Sequence, residues 1–261
     1  MPIAVCGYTL RFHMHTPEQV LSSYAKIAAM GYDGIEMGFH PSWSLSERVD
    51  HLAEYGLKLP CLGGDLTKPE ELMRQGEAFG VKTFSVGSIP GNMLMSVDGV
   101  KAFAAQLSRQ AAPFAQAGCR LQYHNHSQEF RNFPELGGKP ALAILMEETD
   151  PQAVCFELDT HWLAGAGCDP AQWIRWAKGR MEVVHFKDYA INWKDPDTGR
   201  GYIPRRFAEI GQGNIHWPAV TEACREAGVH WYSVEQDQTP GCEFDSLKTS
   251  LDYMRGVLGI R

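Results

Sequence analysis

The chain has 261 residues, 44% of them apolar, 21% charged and 11% aromatic, enough to bury about 70–75% of the unfolded surface without a disulfide or metal staple and too apolar for a disordered chain. Lys plus Arg is 24 against 31 Asp plus Glu, a formal charge of −7, which argues against a protein held to nucleic acid by phosphate neutralisation. No run approaches the ~20 apolar residues of a membrane span, and the N-terminus, Met-Pro-Ile-Ala-Val-Cys, lacks the basic and apolar regions of a secretory signal. Seven cysteines (Cys6, Cys61, Cys119, Cys155, Cys168, Cys224 and Cys242) form no CxxC pair. Their odd number and wide spacing read as reduced thiols of a cytoplasmic protein.

A β-rich run over residues 3–8 opens the chain. A helix follows over about 17–30, with Thr16 as N-cap, Pro17 at the first helical position and Gly31 as its stop. The alternation continues with a strand at 34–37, a helix at 44–55, a strand at 57–62 and a helix at 68–79. Next come a strand at 83–86 and the longest helix, 100–117. The second half repeats the pattern, with strands at 120–124, 154–159, 182–187 and 230–234. Its helices fall at 140–148, 169–178, 217–227 and 244–258. Eight β-then-α units of roughly 33 residues match the ~250 residues of a (β/α)8 TIM barrel. No GxGxxG follows the first strand, which removes the dinucleotide-binding form of the open-sheet rival. There is no linker or composition shift, so residues 1–261 read as a single α/β domain.

In a parallel barrel the active site lies at the carboxyl ends of the strands, so the polar residues that end the apolar runs matter most. Strand two ends in Glu36, a candidate for binding substrate hydroxyls or for a structural role. Strand five ends in His124-Asn125-His126 with Glu129 beyond, strand six in Glu157-Leu158-Asp159 with His161 following. Strand seven ends in His185-Phe186-Lys187-Asp188 and strand eight in Glu235-Gln236-Asp237. His, Asp, His and Glu on four consecutive strands are ligand types for Mn²⁺, Co²⁺, Zn²⁺ or Mg²⁺. The competing explanation is capping, as with Asp169 before Pro170, or a structural ion-pair network. His161 is either a substrate contact or a surface histidine at a loop start. His13 and His15 read as residues preceding the Thr16 cap, and Glu157 shares the parity of Asp159 and would need a partner inside the barrel. Residues 189–215 make a long connection holding Trp193, Tyr202, Arg205 and Arg206. Such loops are often lids, and Arg205 is a candidate substrate contact for a phosphate or carboxylate, with a solvated arginine as the alternative.

Seven strings in order resemble one family: Gly31-Tyr-Asp-Gly-Ile-Glu36, Tyr123-His-Asn-His126 with Glu129-Phe130, Leu158-Asp-Thr160, Gly165-Ala-Gly-Cys-Asp-Pro170, Val184-His-Phe-Lys-Asp188, Gly211-Gln-Gly-Asn-Ile215 and Val234-Glu-Gln-Asp237. The chain resembles the sugar phosphate isomerase/epimerase family of xylose isomerase-like TIM barrels, whose relatives include ketose 3-epimerases, inosose dehydratases and endonuclease IV. The resemblance implies a divalent metal, Mn²⁺ first with Co²⁺, Zn²⁺ or Mg²⁺ as alternatives, held by Asp159, His185, Glu235 and a strand-five residue. That last position carries glutamate in the epimerases and His124 here, with Glu129 as an alternative donor. The resemblance also makes His126 a catalytic or substrate-binding residue and Lys187 a contact to substrate oxygens.

A divalent ion on a carbonyl and its neighbouring hydroxyl acidifies the C–H between them by stabilising an enediolate. Epimerisation, aldose–ketose isomerisation and dehydration all start from that proton loss, with Glu235 as the expected base and His126 or Glu129 as the second base or acid. The expected activity is therefore a metal-dependent isomerase or epimerase on a sugar, keto-sugar or polyol. An inosose-dehydratase-like lyase is the alternative, and an endonuclease IV-like repair enzyme a remote one. The expected partner is a small sugar or polyol, with no nucleic acid, no membrane and a homo-oligomer left open.

Overall fold

The structure is a computed structural model and describes residues 1–191 and 206–261. Eight parallel strands form the inner layer: β1 Ile3–Cys6, β2 Gly34–Glu36, β3 Leu62–Gly63, β4 Thr83–Gly87, β5 Arg120–His124, β6 Val154–Glu157, β7 Val183–Phe186 and β8 Trp231–Val234. They pair as two four-stranded arcs, β2-β1-β8-β7 and β3-β4-β5-β6. Parallel bridges join Gly34 to Lys58 and Asp159 to His185, so the arcs meet at both seams and the sheet closes into a barrel. The expected barrel is the observed one.

The helices are α1 Pro17–Met30, α2 Leu45–Glu54, α3 Pro69–Phe79, α4 Val97–Gln116, α5 Ala141–Glu148, α6 Thr160–Gly165, α7 Pro170–Trp176, α8 Trp217–Ala227 and α9 Glu243–Gly256. Their starts follow the sequence signals. Thr16 with Gln19, and Ser44 with Glu47, each form a reciprocal capping box. Proline opens α1, α3 and α7. At Gly31 the backbone adopts φ 101°, the left-handed turn that ends α1 without a Cβ penalty. Among the elements not expected are the 3₁₀ turn Gly7–His13, the short helix α6 and two small antiparallel pairs, Asn132–Phe133 with Lys139–Pro140 and Asp188–Ala190 with Arg206–Ala208.

Strand alternation sorts the side chains. On β5, Leu121 and Tyr123 point to the helix layer, where the Tyr123 and Phe103 rings meet at 5.8 Å. Gln122 faces inward and donates to Glu157 of β6. The same parity carries His124, Glu157, Asp159, His185, Lys187 and Glu235 to the carboxyl end of the barrel. Among the described residues no helix is long and apolar enough to cross a membrane.

Candidate metal centre

The carboxyl end of the barrel holds a cavity of about 370 Å³ lined by His124, His126, His185, Glu36, Glu157, Glu235, Lys187 and Asp237, together with Tyr8, Met37, Cys61 and Val86. His124, Asp159, His185 and Glu235 each present one ligand atom, all within 4.8 Å of one another. The strand register builds this quartet, because His124 lies opposite Glu157 on β6 and Ser233 opposite His185 on β7.

The two oxygens of Asp159 differ in their surroundings. Its Oδ1 caps α6, accepting from the His161 and Trp162 backbone N–H groups at 2.8 and 3.1 Å. Its Oδ2, fully buried, has no hydrogen-bond partner, with Lys187 Nζ at 3.5 Å. His124 Nδ1 is likewise buried and unpartnered among the described residues. Buried polar atoms are rarely left so, and both lie on residues of the quartet. Two imidazoles and two carboxylates converging with two unsatisfied atoms fit a divalent ion.

His185 is gripped from both sides, Nδ1 at 2.9 Å from Glu235 and Nε2 at 2.9 Å from Glu36. A carboxylate hydrogen-bonded to an imidazole fixes its tautomer and orientation, and Glu36 does this for His185. Burial disfavours the His185 imidazolium, but the Glu36 and Glu157 carboxylates outweigh it and hold its pKa well above the ordinary value. His124 is pushed the other way, well below its usual value, by burial and by His185. Burial also lowers the pKa of His126. Lys187, 2% exposed, lies 2.7 Å from Asp237 and 3.1 Å from Glu235. Its ammonium sits 4.8 Å from the Trp162 ring centre. Burial opposes its charge, and the Asp159, Glu235 and Asp237 carboxylates more than restore it. Glu235 is held well below the carboxylate range: burial resists, but Lys187 and His185 prevail.

Several expected residues take other places. Glu129 is fully buried and does not reach the quartet; its oxygens accept from the Tyr123 hydroxyl at 2.5 Å and the His126 backbone at 2.9 Å. It shapes the turn that presents His126 and stands outside the His124, Asp159, His185 and Glu235 group. His161 is neither at the surface nor on the cavity wall. The chain turns into α6 at Asp159 and buries His161, with Nδ1 at 2.7 Å from the Asp188 carbonyl and the ring stacked 4.3 Å from Phe207. Arg205 lies outside the described residues. Before that segment Asp188–Ala190 pairs antiparallel with Arg206–Ala208, and the Asp188 carboxylate accepts from Gly211, Gly213 and the Trp217 indole.

The sequence reading passed over Asp237, Ser85, Cys61 and Tyr8 on the cavity wall. Asp237 was legible from parity with Glu235, whereas Ser85 and Cys61 carry no local signal. Glu157, weighed only as an interior carboxylate, has its partners: Ser85 at 2.5 Å and Gln122 at 2.8 Å. Cys6 groups with Glu36 and His185, and Cys61 with Glu36 and Glu157. Burial, with nearby carboxylates, raises both thiols well above their ordinary pKa, so they stay protonated. Among the described residues, Met37 (φ 62°) and Ser88 (φ 67°) are the two non-glycines in the left-handed region. They follow Glu36 and Gly87 at the mouth, where backbone strain commonly collects.

Buried carboxyls make the metal-free protein pH-sensitive. Burial raises the pKa of Asp159 to about 6, and burial with the Glu36 charge raises that of Glu157 to about 8. Both bind protons more tightly folded than unfolded, so their contribution is complete below about pH 4 and is lost as pH rises through those two values. His185, also raised, acts in the same sense. Glu235 acts oppositely only below its ordinary range. The lowered His124 and His126 oppose the trend only up to the ordinary histidine value, leaving Glu157 and His185 to dominate above it. The unfolding midpoint of metal-stripped protein should therefore drop by roughly 5 °C or more between about pH 5.5 and 8.5, as scanning calorimetry would show. A flat or rising midpoint would contradict the arrangement.

The profile for the xylose isomerase-like TIM barrel matches residues 24–256. An inosose dehydratase of Geobacillus thermodenitrificans is 28% identical over 163 residues, 59% of this chain and 53% of that protein; the match thus spans about half the length of that curated relative. A sugar phosphate isomerase/epimerase structure from Parabacteroides distasonis aligns over 100% of this chain and 95% of its own at 20% identity and a TM-score of 0.77. A xylose isomerase-like TIM barrel protein from Mycobacterium smegmatis, solved in complex with magnesium, aligns over 96% and 94% at 14% identity and a TM-score of 0.66. Strand order, closed barrel and profile agree, and the chain belongs to the xylose isomerase-like TIM barrel family.

Proposed function

We propose that the protein is a divalent-metal-dependent isomerase or epimerase that moves a proton at a carbon beside the carbonyl of a sugar, keto-sugar or polyol. The observation that carries this reading is the quartet of His124, Asp159, His185 and Glu235, with two unsatisfied buried atoms, beside a cavity that also receives His126 and Lys187. A divalent ion held by these four residues supplies Lewis acidity to the carbonyl and hydroxyl oxygens of the substrate.

The remaining roles follow from the state of each side chain. Glu235 is ionised, but it is already engaged by His185 and Lys187, which weakens it as a base. His126 is neutral at pH 7 because burial lowers its pKa, and its Nδ1 has no partner. His126 is therefore the group best placed to take the proton, with Glu235 as the second base or acid across the site. Lys187, pinned by Asp237, offers a fixed positive charge to an oxygen that gains negative charge. Glu36 orients His185 rather than meeting substrate hydroxyls alone.

A lyase is the second reading, supported by the similarity to an inosose dehydratase and by the unlike pair of an imidazole and a carboxylate as bases. Metal-loaded protein incubated in D₂O with a panel of keto-sugars and inososes, followed by NMR, separates the two. Deuterium at the carbon next to the carbonyl with all oxygens retained is the expected result. Loss of water from an inosose establishes the lyase, and no exchange with any ketone of the panel contradicts both.

A further inference from the structure

We infer that this centre is built for a borderline transition ion (Zn²⁺, Co²⁺ or Fe²⁺) in preference to Mg²⁺ or Mn²⁺, and that His124 sets the preference. The inference rests on the metal-binding reading above and concerns which ion that site takes.

The donor set is the first argument. Two of the four converging ligand atoms are imidazole nitrogens, from His124 and His185, and two are carboxylate oxygens, from Asp159 and Glu235. Mg²⁺ favours an all-oxygen shell and keeps several waters. Carboxylate and water likewise suit Mn²⁺, whereas imidazole suits Zn²⁺ and Fe²⁺. Each imidazole in place of a carboxylate moves a site toward the second group.

The second argument is that both imidazoles are held as ligands rather than left as loose side chains. His185 Nε2 is bonded to Glu36 while its Nδ1 faces Glu235. The His124 ring is confined between His126, with ring centres 4.7 Å apart, and His185, at 4.4 Å. Glu157, its cross-strand partner, stands 3.8 Å from His124 Nδ1 and is itself fixed by Ser85 and Gln122. His185 thus has a fixed carboxylate hydrogen-bonded to its ring, an arrangement that raises ligand basicity, and the His124 ring is fixed by its two histidine neighbours.

Charge is the third. Asp159 and Glu235 together balance a 2+ ion. Glu36, Glu157 and Asp237 already line the same cavity, with Lys187 beside two of the ligands. A further carboxylate at position 124 would add negative charge beside the Asp159 and Glu235 pair, which already balances the ion, where an imidazole adds none.

The test compares wild type with His124→Glu. Metal-free protein is equilibrated with equimolar Zn²⁺ and Mn²⁺, and separately with equimolar Co²⁺ and Mg²⁺. After removal of free ions, bound metal is counted by mass spectrometry. Zn²⁺ outcompetes Mn²⁺ at most nitrogen and oxygen sites, so the wild-type ratio alone decides nothing and the change between the two proteins is the readout. Both the Zn:Mn and Co:Mg occupancy ratios should fall at least about 10-fold in His124→Glu. If that variant does not fold, His124→Gln, which substitutes a neutral oxygen donor, is measured with the same expected direction. Unchanged ratios in proteins that do load metal would overturn this inference and leave the metal reading standing. Failure of wild type to retain any of the four ions would overturn the metal reading itself.

Discussion

His126→Asn is expected to lower kcat by 10²–10⁴ while metal content stays near that of wild type, the loss typical of removing a general acid–base group. His124→Asn should lose metal affinity first, by 10–100-fold or more, and activity with it. The contrast follows from placement. The two rings touch, with centres 4.7 Å apart, yet only His124 belongs to the converging quartet. His126 sits one alternation further along the chain, its backbone N–H held by Glu129 and its ring on the cavity wall. Activity and bound metal measured on the two variants decide the matter. The reverse pattern would exchange the roles of the histidines. A raised KM with kcat unchanged in both would reduce them to substrate contacts.

The barrel was legible because its signals are local and repeated: caps, proline at helix starts, glycine stops and eight apolar runs at regular spacing. Asp159, His185 and Glu235 were legible because each ends an apolar run, and period-2 alternation then places them on one face. The same logic failed two residues past the end of strand six. There the Asp159 carboxylate starts a helix instead of a loop, so His161 is turned into the protein against Phe207 and the Asp188 carbonyl. Glu129 takes another place for a related reason: the buried Tyr123 hydroxyl and the His126 backbone N–H, six and three positions away, claim its oxygens. Glu36 was singled out for hydroxyl binding, and only the fold brings it to His185, 149 positions away. Capping does not use up Asp159: Oδ1 caps α6, and Oδ2 is left without a hydrogen-bond partner.

That difference between the oxygens of Asp159 also shapes the most direct test, which is metal content in variants at Asp159 and His185. Asp159→Ala removes both the unsatisfied Oδ2 and the cap of α6, and the cap alone is worth about 1 kcal/mol. Asp159→Asn keeps an oxygen for the cap and removes the charge, so it isolates the ligand role. His185→Ala leaves the buried Glu36 and Glu235 carboxylates without their shared partner, a change costing about 3–5 kcal/mol in comparable buried pairs. His185→Gln retains a donor for one of them and is the better-behaved variant. Wild type, Asp159→Asn and His185→Gln are loaded with a divalent ion, freed of excess and assayed for bound metal by mass spectrometry, with circular dichroism to verify the fold. The account predicts close to one ion per chain in wild type and loss of most of it in both folded variants. Full metal occupancy in either folded variant would contradict the centre proposed here.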